Sequence, residues 1–293
     1  MLPPEERLSR PKAGLSLMNT PDFAAAAKSL FEAGMVDALE WSFEIGWSKS
    51  NPLPSWTEGL LYFFSSEGAL YGHGVSGSLL SAGWTPRQKK WLQQISLDVQ
   101  RWPCRGVSEH FGWMTARGWQ AGPPLPPPMI DATLQAGRRG LRRLREMTDT
   151  QVGLENLALA MSQRDVWDQG PFLEALLSDV DGYLVLDLHN LWCQVVNYGV
   201  NFMELLDTYP TRRVRVIHVS GGSWASVTGG RWRRDTHDGE VPAPVMALLP
   251  LALQRCRRTE VVILERLGGT IRTQGQAQRF QKDYSVIWEM VNG

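Results

Sequence analysis

Eight short apolar segments, separated by stretches with helical periodicity, constrain the fold of this 293-residue chain more than any other feature. Alternating buried strands and amphipathic helices favour a parallel sheet covered by helices. The segments predicted as strands are AGLSLM (13–18), DALEWSF (37–43), GALYGHG (68–74), RGVSEH (105–110), QVGLEN (151–156), YLVLDL (183–188), RVRVIHV (213–219) and EVVILER (260–266). Eight such units predict an α/β protein with a TIM (β/α)8 barrel.

One barrel accounts for the length of the chain, because barrels of this type take roughly 250 residues. Hydrophobic residues make up 43% of the sequence, which is enough for one large core. We therefore predict a single domain over residues 1–293, with residues 1–12 as an irregular N-terminal extension. The proline-rich segment GPPLPPP (122–128) is interpreted as a stiff loop at the barrel rim.

Charge and targeting signals exclude several classes of partner. Lysine plus arginine and aspartate plus glutamate both number 30, so no overall charge favours nucleic acid or an anionic membrane. The N-terminus lacks the apolar core of a signal peptide, and no segment approaches ~18 uninterrupted apolar residues. The three cysteines, Cys104, Cys193 and Cys256, form no CxxC pair, which excludes a thiolate zinc cluster. We expect a cytoplasmic protein without nucleic-acid or membrane partners.

Histidines and acids gather at the ends of the predicted strands, where TIM barrels place their chemistry. Such acids would repel one another unless a cation lay among them, and imidazole with carboxylate suits iron, zinc or manganese. Asp235 and His237 are predicted to project to the same side of an extended segment and to hold one ion together. The sequence therefore predicts a metal site for more than one ion, drawn from His73, His110, His189, His218, His237, Glu40, Glu109, Glu155, Asp187, Asp235, Asp238 and Glu265.

A set of short motifs in a fixed order gives this chain a resemblance to a known family. The motifs are HG at 73–74, SEHFGW at 108–113, EN at 155–156, LDLHNLW at 186–192, IHVSGG at 217–222, DTHDGEV at 235–241 and LER at 264–266. In this order and spacing the sequence resembles the DUF692 family of multinuclear iron-dependent oxidases and oxygenases. The resemblance covers strands two to eight, and that family has a TIM-barrel fold.

The resemblance implies a rim cluster of two or three iron ions (Fe²⁺/Fe³⁺), with Glu155 bridging two of them and O2 as co-substrate. Relatives act on a cysteine residue of a ribosomally synthesised peptide, so the implied substrate is a cysteine-containing precursor peptide. Since one barrel accounts for the chain, we also expect a partner protein that recognises the leader of that peptide. The implied metal ligands are His73, His110, Glu155, Asp187, His218, Asp235, His237 and Glu265.

Further residues are assigned to the surroundings of the metal or to substrate binding. His189 stands where relatives commonly carry an uncharged residue, so it is either an extra ligand or a group that orients Asn190 or a carboxylate, and we favour the orienting role. The arginine- and tryptophan-rich segment 223–235 is interpreted as a rim loop that receives an acidic leader peptide or a carboxylate, or that acts as a lid. Its tryptophans could equally fill the core above the barrel. The full set is Glu40, Glu109, Asn156, His189, Asn190, Asp238, Trp224, Arg231, Trp232 and Arg233.

Two other classes of function are compatible with the same residues. One is a redox-inactive zinc or manganese enzyme of the xylose-isomerase-like barrel type, acting as an isomerase or a phosphodiesterase. The neutral overall charge disfavours the phosphodiesterase, because a nucleic-acid backbone calls for a cationic groove. The other is a metal-binding scaffold without catalytic activity in a biosynthetic complex.

Overall fold

The computed structural model describes residues 10–48, 52–116, 119–227 and 230–293. Eight of its strands form one closed parallel barrel, in the order β1-β12-β9-β8-β7-β4-β3-β2. The predicted TIM barrel is confirmed, and each predicted strand is found within two residues of its expected ends. The strands are β1 (Lys12–Leu17), β2 (Ala38–Ser42), β3 (Leu70–Gly74), β4 (Gly106–His110), β5 (Trp113–Ala116), β6 (Trp119–Leu125), β7 (Gln151–Glu155), β8 (Tyr183–Asp187), β9 (Val214–Ser220), β10 (Ser223–Val227), β11 (Gly230–Arg234) and β12 (Val261–Glu265).

The N-terminal extension predicted for residues 1–12 lies mostly outside the described residues. Residues 1–9 are not described, and Lys12 already pairs with Val261 where β1 closes the barrel against β12. Lys12 therefore belongs to β1 and not to the predicted extension, since β1 begins one residue before the expected strand.

Helices connect the barrel strands, and short 3₁₀ helices occur at Phe43–Trp47, Ser178–Val180 and Thr211–Arg213. Thr85 begins one helix with a capping box, in which its side chain and that of Gln88 satisfy each other's backbone N–H groups. Within the described ranges, no helix is long and apolar enough to cross a membrane. The α-helices are α1 (Pro21–Glu32), α2 (Ser55–Ser66), α3 (Pro86–Arg101), α4 (Asp131–Thr148), α5 (Gln163–Leu177), α6 (Leu188–Tyr198), α7 (Phe202–Thr208), α8 (Ala243–Arg255) and α9 (Gln274–Asn292).

The barrel strands are buried on both faces, which explains why their sequences are continuous apolar runs. Every residue of β8 and β12 is buried, as expected for a parallel sheet with helices outside and side chains filling the inside. The register then aligns the polar strand ends. His110 lies opposite Glu155, and Asp187 lies opposite His218, so the polar side chains meet at one rim.

Two antiparallel hairpins outside the barrel were not predicted. β5 pairs with β6, and β10 pairs with β11. The prediction of a loop is therefore wrong for residues 122–125 and for most of 223–235. Proline is tolerated in β6 because both strands of a two-stranded hairpin are edge strands. A missing N–H there removes few of the hydrogen bonds between strands.

Glycines in two helices allow a matched test of the packing. A β-carbon on Gly140 in α4 would lie 2.3 Å from the backbone oxygen of Leu79, whereas one on Gly59 in α2 would meet nothing within 4 Å. We expect Gly140→Ala to lower the free energy of unfolding by about 1–3 kcal/mol through overpacking. Gly59→Ala should raise it by about 0.5–1 kcal/mol, because alanine is the better helix former. Urea denaturation of both variants measures these changes. Equal changes of the same sign in the free energy of unfolding would contradict the tight packing of α4 at Gly140.

Candidate metal centre

Six barrel strands end in the predicted ligand residues, and these side chains meet above the core. Two groups have donor atoms that all lie within 4.8 Å of one another. The first group is His73, His110 and Glu155, and the second is Glu155, Asp187, His218 and Glu265. Because parallel strands bring their carboxyl ends to the same rim, residues far apart in sequence converge here.

Glu155 belongs to both groups, and its two oxygens face different partners. Oε2 lies 3.3 Å from His73 Nε2 and 3.6 Å from His110 Nε2. Oε1 lies 3.5 Å from His218 Nδ1. A carboxylate placed in this way offers one oxygen to each of two neighbouring cations.

Glu265 connects the second group to the remaining predicted ligands. Its Oε2 lies 3.2 Å from His218 Nδ1 and 3.5 Å from His237 Nδ1, and His237 Nε2 lies 2.6 Å from Asp235 Oδ1. The segment around His237 is not extended as predicted, because its φ of 48° is in the left-handed region. This uncommon conformation in a residue other than glycine nevertheless brings the side chains of Asp235 and His237 together.

The imidazole of His73 is oriented by a serine that the sequence analysis missed. Ser108 Oγ lies 2.8 Å from His73 Nδ1 and also donates to the carbonyl of Gly72. Since the hydroxyl hydrogen is used by Gly72, Ser108 accepts from Nδ1–H, and the lone pair of Nε2 points towards Glu155. Ser108 could have been found from the parallel register, which places it opposite His73.

The same arrangement recurs at two other histidines. His110 Nδ1 lies 3.3 Å from Glu109 Oε1, so its Nε2 faces Glu155. His218 Nε2 lies 2.9 Å from Glu40 Oε2, so its Nδ1 faces Glu155 on the other side. A histidine that binds metal through one nitrogen usually donates its other N–H to a carboxylate or a similar acceptor. The three imidazoles are therefore presented as metal ligands would be.

Several buried donor and acceptor atoms lack the hydrogen bonds that such atoms normally form. Among the residues that the structure describes, none forms a hydrogen bond of suitable geometry with His218 Nδ1, His237 Nε2 or Glu265 Oε2. Each nevertheless lies close to an oppositely charged group, as with His237 Nε2 and Asp235 Oδ1 at 2.6 Å. Short contacts without hydrogen-bond geometry are expected where side chains point at a common position, and this donor set fits one or more cations.

The electrostatics of the centre indicate that imidazoles hold protons there when no cation is bound. Burial alone would lower the pKa of His218, but Glu265 and Glu40 outweigh it and raise that pKa well above its usual value. Burial also opposes protonation of His237, where Asp235 and Glu265 raise the pKa well above the usual range. A cation bound by the same atoms would displace these protons.

The pKa values of two carboxylates in the centre are shifted in opposite directions. Burial, followed by the charges of Asp235 and Glu155, raises the pKa of Asp187 well above its usual value. Burial would also raise the pKa of Glu265, but His218 and His237 lower it to about 2. So dense a set of acids needs positive charge nearby, and metal cations supply it more effectively than protons.

Asp187 also begins α6, which is a structural role. Its Oδ1 accepts the backbone N–H of Asn190 at 2.6 Å, and its Oδ2 accepts from Ser220 Oγ at 3.4 Å. Asn156 Oδ1 accepts the backbone N–H of Asp187 at 2.7 Å, and Asn190 Nδ2 donates to the carbonyl of Asn156 at 2.9 Å. Asn156 and Asn190 therefore contact a predicted ligand residue, as expected for residues that surround a metal.

Glu40 and Glu109 are both fully buried and contact histidines of the centre. Glu109 is held in place by the backbone N–H groups of Gly77, at 2.6 Å, and His110, at 2.9 Å. Asp238, in contrast, is exposed and accepts from Thr236 Oγ1 at 2.6 Å, so the structure does not bring it into the cluster.

The remaining predicted residues lie on the second hairpin and beside α6. Arg231 lies over the ring of Trp224, at 5.1 Å from its centre, and Trp232 packs edge-on against Tyr198 at 5.4 Å. Arg233 does reach towards the centre, since it donates to His189 Nε2 at 3.1 Å. The hairpin therefore carries an aromatic and cationic surface next to the candidate metal centre.

The sequence matches a known family and several curated proteins. The family model described as RiPP precursor modification enzyme MbnB/TglH/ChrH matches residues 54–273. A UPF0276 protein of Acaryochloris marina is 29% identical over 184 residues, covering 62% of this chain and 64% of that protein. A UPF0276 protein of Anaeromyxobacter sp. is 30% identical over 195 residues, covering 65% of this chain and 66% of that protein. The chain thus aligns with slightly less than two thirds of the length of these relatives.

Solved structures share the fold at low sequence identity. The IOLI protein with a bound zinc atom has a TM-score of 0.60 and 11% identity, covering 96% of this chain and 98% of its own. Endonuclease IV from Thermus thermophilus has a TM-score of 0.55 and 15% identity, covering 95% of this chain and 100% of its own. D-allulose 3-epimerase from Methylomonas sp. has a TM-score of 0.58 and 13% identity, covering 96% and 98%. At these identities the likeness concerns the barrel alone.

Proposed function

The chain belongs to the MbnB/TglH/ChrH family of RiPP precursor modification enzymes, and we propose that it oxidises a cysteine residue of a ribosomally synthesised precursor peptide with O2. The reaction would take place at a centre of two or three iron ions. The observation that carries this proposal is the position of Glu155, whose two oxygens face two different groups of donor atoms.

The donor atoms fall into three sets under this proposal. One ion would be held by His73, His110 and Glu155, and a second by Glu155 with three residues of the neighbouring strands. Asp235 and His237, together with Glu265, would hold a third. Nitrogen and carboxylate oxygen donors without cysteine suit iron, zinc or manganese, and we propose iron because the reaction passes electrons to O2. The three residues that complete the second set are Asp187, His218 and Glu265.

Iron ions bound here would bind the cysteine thiolate and pass electrons from the peptide to O2, so that the peptide is oxidised and O2 is reduced. The side chains of the protein would hold these ions and leave one side open to the peptide. His110, Asp235 and His237 are partly exposed, at 17%, 16% and 24% of their side-chain surface, while Glu155 and His218 are buried. A peptide would therefore approach from the side of His110 and His237.

The residues behind the imidazoles would keep each ring in the correct tautomer. Glu40 holds the Nε2 proton of His218, and Ser108 accepts from Nδ1 of His73, so the opposite nitrogens remain free to bind metal. The aromatic and cationic surface of the second hairpin lies next to the open side and suits a peptide with acidic or aromatic side chains. We also propose that a separate cytoplasmic partner recognises the leader of the peptide.

Oxygen consumption with an intact peptide tests the proposal. Protein purified without O2 and loaded with Fe²⁺ would be mixed with a cysteine-containing precursor peptide encoded beside its gene, with and without neighbouring candidate partners. The expected result is O2 uptake together with a changed peptide mass. A Cys→Ser peptide and zinc-loaded protein are the controls, and neither should react. Modification by zinc-loaded protein without O2 would instead support the redox-inactive alternative.

A further inference from the structure

Arg233 on the second hairpin is buried to an extent that is unusual for an arginine. Only 6% of its surface is exposed, and arginine is seldom buried unless its charge is paired. Its backbone is fixed from both sides by Asn197 of α6, which accepts the N–H of Arg233 at 2.8 Å and donates to its carbonyl at 2.9 Å. This pairing anchors β11 to α6.

The guanidinium of Arg233 lies over two tryptophans, Trp192 and Trp224, which also pack edge-on against each other. Its central carbon is 4.9 Å from the ring centre of Trp192 and 5.6 Å from that of Trp224. Stacking of this kind holds the planar group without using its N–H donors. One of these donors, Nε, is aimed at His189 Nε2, 3.1 Å away.

This hydrogen bond determines the tautomer of His189. A guanidinium can only donate, so Nε2 of His189 must carry the lone pair and Nδ1 must carry the hydrogen. Nδ1 lies 3.3 Å from Asp235 Oδ1 and donates to it. Both ring nitrogens are thereby engaged with protein groups, and neither is left for an ion.

We infer that Arg233 is a positioning residue for the metal centre: acting through His189, it holds the carboxylate of Asp235 against His237. The inference rests on the proposed metal centre and adds a connection that the predicted ligands do not contain. Because Trp224 and Arg231 lie on the same hairpin, this connection links the peptide-facing surface to the ligand Asp235.

Iron binding to matched variants tests the inference. Arg233→Met keeps an unbranched apolar chain against the two tryptophans but removes the donor to His189. Arg231→Met is the control, because Arg231 also stacks on Trp224 without contacting His189. Metal-free protein would be titrated anaerobically with Fe²⁺ against a competing chelator. The Kd of the most weakly bound Fe²⁺ should be about 10- to 100-fold higher in Arg233→Met than in the unaltered protein. The Kd of Arg231→Met should be unchanged.

A second readout does not depend on metal or on turnover. In metal-free protein, ¹⁵N NMR of the imidazoles should report His189 as the Nδ1–H tautomer, with the resonance of Nε2 shifted by the hydrogen bond that it accepts from Arg233. In Arg233→Met, Asp235 still accepts the Nδ1 hydrogen, so the ring should keep this tautomer but the Nε2 resonance should move to that of a nitrogen without a donor. Arg233→Lys keeps the charge but not the Nε donor, so it should not restore the Nε2 resonance. A folded Arg233→Met that retains both the Fe²⁺ affinity and the Nε2 resonance would overturn the inference. Lost affinity in a protein that never consumes O2 would overturn only the proposed reaction.

Discussion

Glu155→Ala is expected to lose more than one metal ion per chain and all turnover, while the barrel remains folded. The reason is that Glu155 supplies one oxygen to each of two donor groups, so its removal damages both. Glu155 lies at the rim of the barrel, where substitutions affect chemistry more than folding. Metal analysis of anaerobically purified protein, with circular dichroism as a check of the fold, measures the effect.

His110→Ala is the matched comparison for this variant. His110 belongs to the first donor group only, so its removal should cost at most one ion per chain. If Glu155→Ala retained the metal content of the unaltered protein, Glu155 would not be a ligand. If the two variants lost equal amounts of metal, Glu155 would not be a bridge between two ions.

Substitutions of Asp187 are expected to have the second largest effect, on both metal content and stability. The same carboxylate caps α6 and belongs to the second donor group. Asparagine is as good an N-cap as aspartate, whereas alanine at an N-cap costs about 0.5–2 kcal/mol. We therefore expect Asp187→Ala and Asp187→Asn both to lose metal from the second group and to lose turnover. Only Asp187→Ala should also lower the free energy of unfolding of the metal-free protein by that amount.

Metal analysis and urea denaturation of the metal-free variants separate the two roles of Asp187. Full metal content in Asp187→Asn would mean that Asp187 only caps the helix. Equal stability of the alanine and asparagine variants would mean that the hydrogen bond to the backbone of Asn190 contributes little to folding.

The barrel could be predicted from sequence because its strands are buried on both faces. Such strands are continuous apolar runs, as in YLVLD and VVILE, and their ends are marked by polar residues. The two hairpins escaped prediction for the opposite reason. β10 and β11 are short and largely exposed, and β6 contains two prolines, so neither periodicity nor composition marks them as strands.

The rim position of the predicted ligands followed from the strand ends, but their arrangement did not. Which nitrogen of His73 faces Glu155 depends on Ser108, a residue on the neighbouring strand. The bend at His237 and the contact between Arg233 and His189 depend on the hairpin and α6, which meet only in the folded protein. Sequence spacing carries no information about such side-chain directions.

Metal content tests the central claim most directly. Protein expressed with ample iron and purified without O2 would be analysed for iron, zinc and manganese together, and Mössbauer spectra would be recorded on the iron. We predict at least two iron ions per chain with spectra of magnetically coupled ions, as expected if Glu155 bridges them. Stoichiometric zinc or manganese without iron would contradict the account and would favour a redox-inactive enzyme on the same barrel.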